Sequence, residues 1–359
     1  MHSYILTGIR MGPLLTLIRR HGFTPTPRNI GRMLFIFQNA FWASFHAWRE
    51  KKVYGEKLKS WTAPDDPVII IGHWRTGSTF LHQILALDEQ FITPSFFQAA
   101  FPESFLVSER YFRPIIGALV SKRPMDNVRL GFDDAQEDEF ALVKLTLDSP
   151  LLKVVFPAKS GYFINDLQDF NPVEEKKEMW KEKLTAFCTR IHRDSGRIIL
   201  LKNPAHSLRI PFLCETFPRA RFIHLHRHPY KVVASSLHLW KVMARDNQLK
   251  GKPCFPDLKE ITEGLIKFYT VIGRDLAALP EKRYCEVSYE DLEADPVSEV
   301  NAIYKALGLE FTGIFESRIR SFLEKARDFK KNSYNFDDAQ KMQVYHLMKK
   351  QFEFYHYTP

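Results

Sequence analysis

Four short runs rich in Val, Ile, Leu and aromatic residues punctuate the chain, at residues 68–71, 196–202, 221–226 and 284–288. Runs of this length and β-branched content read as buried strands. Each leads into a helix-patterned segment: residues 79–87, a stretch ending at Phe217, a helix opening at Pro229, and one running to Leu307. Pro229 stands where a first helical residue belongs, because the missing N–H costs nothing there. Strands and helices alternating over 359 residues predict an α/β protein, as one large domain with additions or as two small domains.

Upstream of the first strand, residues 4–48 read as helix broken around Thr24-Pro25-Thr26-Pro27. The second piece, residues 34–48, is crowded with Phe and Trp and flanked by Arg28, Arg32, Arg49, Lys51 and Lys52. A bilayer span needs roughly 20 apolar residues, and this piece is shorter and interrupted by Gln38, Asn39 and His46. Two placements remain: a core helix, or a peripheral membrane contact through residues 28–52 with the cations toward headgroups. Core packing is the expectation, because the helix is apolar nearly all round. Residues 1–60 then form an N-terminal helical extension, and residues 61–359 the main domain. A second aromatic stretch, Phe91 to Phe112, is either core or the wall of an apolar acceptor pocket. Residues 173–193 read as a charged amphipathic helix with a solvated face.

The candidate chemistry collects where strands end. Between the first strand and its helix lies Gly72-His-Trp-Arg-Thr-Gly-Ser-Thr79. Unpaired N–H groups at a helix start, with two glycines for a tight curl, make an anion cradle. The stretch fits G-x-x-x-x-G-K-[ST] except that Ser78 occupies the lysine position and the cation has moved to Arg75. Such a loop suits an anion other than a Mg-bound triphosphate, or else its glycines serve only the turn. The run at 196–202 ends in Lys202-Asn-Pro-Ala-His206, placing a Lys and a His where open parallel sheets gather ligands. The third run is followed by Arg227, with Ser235 eight positions on. Those two can grip one anion only if the intervening helix lies against it.

Residues 133–139 hold five acids, Asp133, Asp134, Glu137, Asp138 and Glu139. Asp133 or Asp134 is expected to cap a helix running to about Thr146, and acid at a helix N-terminus is stabilising on dipole grounds alone. Alternatively Phe140, Val143 and Leu147 face the core and carry Glu137 or Glu139 to a cleft edge, where a carboxylate can act as general base.

Composition narrows the partners. A net charge of +9 fits nucleic acid, a membrane surface or a polyanionic small ligand, and the lack of a compact basic run or known nucleic-acid motif argues against the first. Cys188, Cys214, Cys254 and Cys285 are far apart with no metal-ligand spacing, so they read as reduced thiols of a cytoplasmic protein and no metal site is expected. The N-terminus lacks signal-peptide character, since Arg10, Arg19 and Arg20 interrupt its apolar residues.

Taken together, these motifs resemble those of the sulfotransferases that use 3′-phosphoadenosine-5′-phosphosulfate (PAPS), in particular the bacterial branch, and the similarity runs through nearly all of the chain from Pro67. The stretch Gly72 to Phe80 is similar to the family's 5′-phosphosulfate loop, and the Arg227-to-Ser235 spacing to its 3′-phosphate motif. The resemblance implies a P-loop-like three-layer α/β fold with a central parallel sheet. It implies PAPS as cofactor, PAP as product, and a small-molecule acceptor. Arg75, Thr76, Gly77, Ser78, Thr79 and Phe80 would hold the phosphosulfate, with Arg75 and Lys202 as the cations at the leaving oxygen. Arg227 and Ser235 would hold the 3′-phosphate, with Lys330 or Lys331 from a basic C-terminal segment. For the base the order is Glu139, Glu137, then His206, which lies two positions later than the catalytic His of cytosolic members. The acceptor expected is a hydroxyl on an apolar molecule such as a sterol or other lipid. A carbohydrate or tyrosine sulfotransferase, a nucleotide kinase or NTPase with a degenerate P-loop, and a catalytically silent PAP-binding protein are the alternatives.

Overall fold

The computed structural model describes residues 5–24, 26–27, 29–116, 121–122, 129–157, 174–251, 254–327 and 336–359. Two helices come first, α1 (Met11–His21) and α2 (Ile30–Ser60), before β1 (Val68–Ile71) runs into α3 (Ser78–Leu85). Next are β2 (Phe91–Ile92), α4 (Phe96–Ala100), α5 (Phe105–Ile116) and an antiparallel pair, β3 (Ser121–Lys122) and β4 (Arg129–Leu130). Three helices follow, α6 (Glu139–Thr146), α7 (Leu151–Val155) and α8 (Glu174–His192), then β5 (Ile198–Lys202) and a 3-10 turn at Pro204–Leu208. The order continues α9 (Ile210–Thr216), β6 (Arg221–His226), α10 (Pro229–Asn247), α11 (Leu258–Ala277) and β7 (Tyr284–Ser288). Last come α12 (Tyr289–Ala294), α13 (Pro296–Leu307), α14 (Gly313–Ala326) and α15 (Asp338–Phe354).

Five strands form one parallel sheet in the order β2-β5-β1-β6-β7. Their side chains alternate between two cores, as the two-residue period of a strand requires. Val68, Ile70, Leu200, Ile223 and Leu225 pack with Leu81, Ile84, Tyr304 and Phe315 on one face. Ile69, Ile71, Ile199, Leu201 and Phe222 pack with Trp180, Phe187 and Phe268 on the other. Each such side chain contributes about 1.5–3 kcal/mol by burial, and a sheet covered on both faces is a three-layer α/β architecture, as expected. Because β1, β5, β6 and β7 are parallel, the segments after Ile71, Lys202, His226 and Ser288 emerge along one edge.

Two local expectations are corrected. First, α2 packs on the domain, with Phe37 partly buried against the core, but leaves most of its aromatics outside. Its packed side is lined by Met33, Ile36, Ala40 and Ala43, while Leu34, Phe41, Trp42, Phe45 and Trp48 are 66%, 60%, 46%, 42% and 54% exposed. Small residues let the helix sit close on α1 and α5, so the bulky side chains are left outside. Second, neither Asp133 nor Asp134 caps a helix. Residues 94–96 pair instead with the backbone of 134–136, delaying the helix to Glu139. Asp134 accepts from Gly131 N at 2.6 Å, and Asp133 pairs with Arg113. Of the two readings of the Phe91–Phe112 stretch, core holds for Phe91, Phe97, Phe101 and Phe105, which are buried, with Phe97 stacked on Phe132 at 4.4 Å. The basic segment with Lys330 and Lys331 lies outside the described residues.

Candidate active site

The loop after β1 owes its shape to close backbone packing. Gly72 has φ 138°, and a Cβ there would sit 2.4 Å from the Leu225 carbonyl oxygen of β6. Gly77 has φ 96°, and a Cβ there would lie 2.1 Å from the Tyr289 ring. Only glycine meets both demands. Between them His73 and Trp74 turn into the core, His73 against Phe268 (4.9 Å between centroids) and Trp74 against Trp240 (5.1 Å). Burial pushes His73 down to about 4, so it is a neutral wedge at physiological pH. Thr76 Oγ1 donates to the His73 carbonyl at 2.9 Å, and Ser207 Oγ accepts from Gly72 N at 2.9 Å. With the loop anchored, Arg75 occupies the turn at φ 72°. Helix α3 then begins at Ser78 with no side-chain cap, leaving its first N–H groups to face the loop.

Arg75 reaches across to the second anion motif. Its Nε donates to Ser235 Oγ at 2.7 Å, and its carbonyl accepts from Arg227 Nη1 at 3.3 Å. Arg227 follows β6, and its guanidinium lies 4.2 Å from the centre of the Tyr289 ring. Tyr289 follows β7, so one ring touches Gly77 on the loop and carries Arg227. The Arg227 backbone carbonyl accepts from Tyr269 Oη at 3.3 Å. Arg227 Nε is buried with no hydrogen-bond partner, a cost of about 1–3 kcal/mol that a bound anion would relieve.

Lys202, at the end of β5, is almost wholly buried. Its ammonium pairs with Glu137 Oε1 and also donates to Thr79 Oγ1 at 3.3 Å. A carboxylate, a cation and a loop hydroxyl thus meet in one place. Glu137 keeps 17% of its side chain exposed, so it can be reached from solvent. His82, one turn along α3 from the loop, is held well below the usual imidazole range by burial and by the Lys202 charge.

Glu139 and His206 are placed differently. Glu139 is buried and accepts from Arg209 Nη1 at 2.7 Å and Nη2 at 3.3 Å, from Asn203 Nδ2 at 2.7 Å and from Ser149 Oγ. Burial raises its pKa, but the Arg209 charge and these bonds outweigh that and leave it lowered. The carboxylate is therefore saturated, and it acts as the counterion that holds α6 to the turn after β5. His206 is fully buried, its Nε2 2.8 Å from Asp138 Oδ2 and its ring edge-on to Trp180. Phe80 is half-buried, its ring 6.4 Å from that of Phe322.

The structure therefore brings Arg75, Ser78, Thr79, Lys202, Glu137, Arg227 and Ser235 to one sheet edge. Sequence reasoning missed Tyr289, Arg209 and Asn203. Tyr289 and Asn203 each stand immediately after a strand, which is the available signal for them. Among the described residues no group of His, Cys, Asp and Glu side chains could hold a metal ion.

Comparison with known proteins agrees with this geometry. Residues 67–313 match the model of the sulfotransferase family. The chain is 35% identical over 296 residues to the omega-hydroxy-beta-dihydromenaquinone-9 sulfotransferase Stf3 of Mycobacterium bovis, covering 81% of this chain and 75% of that protein; Stf3 of Mycobacterium tuberculosis matches to the same extent. Among solved structures, sulfotransferase STF9 of Mycobacterium avium superposes with a TM-score of 0.69 at 17% identity, over 96% of each chain. Sulfotransferase STF1 of Mycobacterium tuberculosis H37Rv gives 0.66 at 18% identity, over 95% of this chain and 90% of that one. These two likenesses concern the fold, whereas the family match and the Stf3 identity concern descent. On that ground the chain belongs to the sulfotransferase family.

Proposed function

We propose that this sulfotransferase moves a sulfuryl group from PAPS to a hydroxyl of an apolar small molecule such as a sterol or other lipid. One observation carries the donor assignment: two separate anion stations, the loop after β1 and the Arg227 turn after β6, are joined by the Arg75–Ser235 hydrogen bond. A donor with a phosphosulfate and a detached 3′-phosphate needs two such stations and no Mg-holding lysine loop. The unpartnered Arg227 Nε fits the 3′-phosphate, with Ser235 beside it. Ser78, Thr79 and the free N–H groups of α3 would take the 5′ end, with Thr76, Gly77 and Phe80 shaping the loop. The donor supplies an activated sulfur and a good leaving phosphate.

The residues of the chain would do the rest by positioning and charge, as in phosphoryl transfer. Glu137 is the base in this reading, ahead of Glu139 and His206, because it is the one of the three with exposed carboxylate or ring surface. The acceptor oxygen bonds to sulfur as the sulfur–oxygen bond to phosphate breaks. The acceptor proton passes to Glu137 Oε1, and the electron pair leaves on the phosphate oxygen. Lys202 and Arg75 stabilise that oxygen. Lys202 is already between Glu137 and Thr79, so a small shift of its ammonium toward the loop would release the carboxylate.

The acceptor class draws on the omega-hydroxy-dihydromenaquinone in the name of the mycobacterial relatives. A cytoplasmic location, with peripheral contact between residues 28–52 and a membrane, belongs to the same reading; no helix among the described residues is long and apolar enough to cross one. The test is incubation of the protein with labelled PAPS and a mixed extract of lipids, sugars and peptides, followed by mass spectrometry. A sulfated lipid is the expected product. Sulfated sugar or tyrosine would replace the acceptor assignment, and no transfer to any class would overturn the catalytic one.

A further inference from the structure

The outward face of α2 takes no part in the reaction. Ile30, Leu34, Phe41, Phe45, Trp48 and Lys52 fall within about 40° of a single line along the helix at 3.6 residues per turn. The five apolar members are each 42–66% exposed, and Trp42 beside them is 46% exposed. Helix α2 has 31 residues and is about 46 Å long. Monomeric soluble proteins rarely show a continuous apolar row of this kind without a partner for it.

The charges beside the row select the partner. Arg49 lies 6.0 Å from the Phe45 ring centre and 5.3 Å from that of Tyr111, and Lys52 Nζ lies 4.1 Å above Trp48. Lys51 and Lys52 are exposed. The one carboxylate between Ile30 and Gly55 is Glu50, and it is turned inward, 1% exposed, bound to Arg190 and to the Leu106 N–H at 2.9 Å. The exposed surface of this stretch is thus aromatic and cationic with no acid. Trp and cations together suit the headgroup layer of a bilayer, where aromatic bodies sit at the apolar boundary and ammonium groups reach anionic lipid. A second copy of the chain would bring no exposed carboxylate on this stretch to meet those cations.

We infer that the Ile30–Trp48 row of α2 is a docking face for an anionic lipid bilayer, with Arg49, Lys51 and Lys52 toward the headgroups. This specifies the proposed peripheral contact of residues 28–52 and does not depend on the acceptor. Helix α2 packs on α5, α5 on α4, and α4 on α6, the helix that follows Glu137, so the docked face and the base share one contiguous set of helices.

Co-sedimentation of the full chain with phosphatidylcholine vesicles, with and without phosphatidylglycerol, tests this. At least tenfold tighter binding to the anionic vesicles is expected, weakening as salt is raised. Two variants act on separate parts of the face: Phe41→Ser/Phe45→Ser/Trp48→Ser, and Lys51→Glu/Lys52→Glu. Each should lose at least tenfold in vesicle binding while thermal stabilisation by PAP is unchanged. Equal binding to neutral and anionic vesicles, no binding to either, or variants that bind as the parent does would overturn the inference. So would a concentration-dependent dimer that the first variant dissolves. PAP stabilisation, read on the same samples, reports separately on the donor assignment.

Discussion

Arg75 Nε donates to Ser235 Oγ at 2.7 Å across 160 positions of sequence, so the loop after β1 and the first turns of α10 share a hydrogen bond. The two motifs form one surface at the carboxyl edge of the sheet. Arg75→Ala should weaken PAP binding through both ends of the nucleotide. Ser235→Ala should cost about 1.5 kcal/mol, roughly tenfold in Kd. The double substitution should fall short of the sum, because the two side chains are in contact. Isothermal titration with PAP across the four proteins measures this, and strict additivity would count against a shared site.

Lys202 between Glu137 and Thr79 makes a second prediction. Glu137→Gln should lower kcat by about 10²–10⁴ and leave PAP affinity within a few-fold of the parent. Lys202→Met should lower kcat and PAP affinity together, since its ammonium also contacts the loop hydroxyl. Full activity in Glu137→Gln would remove it as the base.

Glu139→Gln should behave as a stability variant. It leaves Arg209 buried beside a neutral amide, a loss of about 3–5 kcal/mol at neutral pH. Because the folded-state pKa of Glu139 is lowered, its contribution is complete above the ordinary value of 4.5 and is lost as pH falls through the folded value. Urea unfolding should therefore show a parent–variant gap that is constant above about pH 5 and closes in acid. A gap that stays open in acid would show that Glu139 does not act as a buried anion.

Lys144 gives the opposite sign. Its ammonium is buried and donates to the Thr7 carbonyl at 3.1 Å, and burial lowers its pKa to about 7. The folded protein resists the charged form, so stability should rise with pH from about 7 toward 10.5 as the unfolded chain alone keeps its proton. Lys144→Met should be more stable than the parent at pH 6, by about a few kcal/mol, with the difference shrinking by pH 10. A pH-independent difference would contradict this.

Much of the fold was legible because its signals are local. The β-branched run at 68–71 and the glycines at 72 and 77 mark a strand and a tight loop, and Pro229 opens its helix where its ring geometry allows. The pairing of Glu139 with Arg209 was not legible, since the partner is 70 positions away and nothing local distinguishes Glu139 from Glu137. The orientation of α2 was hidden for another reason. Its apolar residues surround the helix, so periodicity picks no buried side; the size difference between Ala40 or Ala43 and Phe41 or Trp48 does. The delayed start of α6 follows from pairing of residues 134–136 with 94–96, which a run of acids does not announce.

Arg227 and Ser235 are proposed to recognise the 3′-phosphate of the donor nucleotide. The decisive measurement compares the affinities of PAP and adenosine 5′-phosphate, in the parent protein and in Arg227→Ala. The parent should prefer PAP by about tenfold or more, as a charge-assisted contact to phosphate requires, and the variant should bind the two ligands nearly alike. A preference for PAP that survives the loss of Arg227 would remove Arg227 as the ligand of the 3′-phosphate.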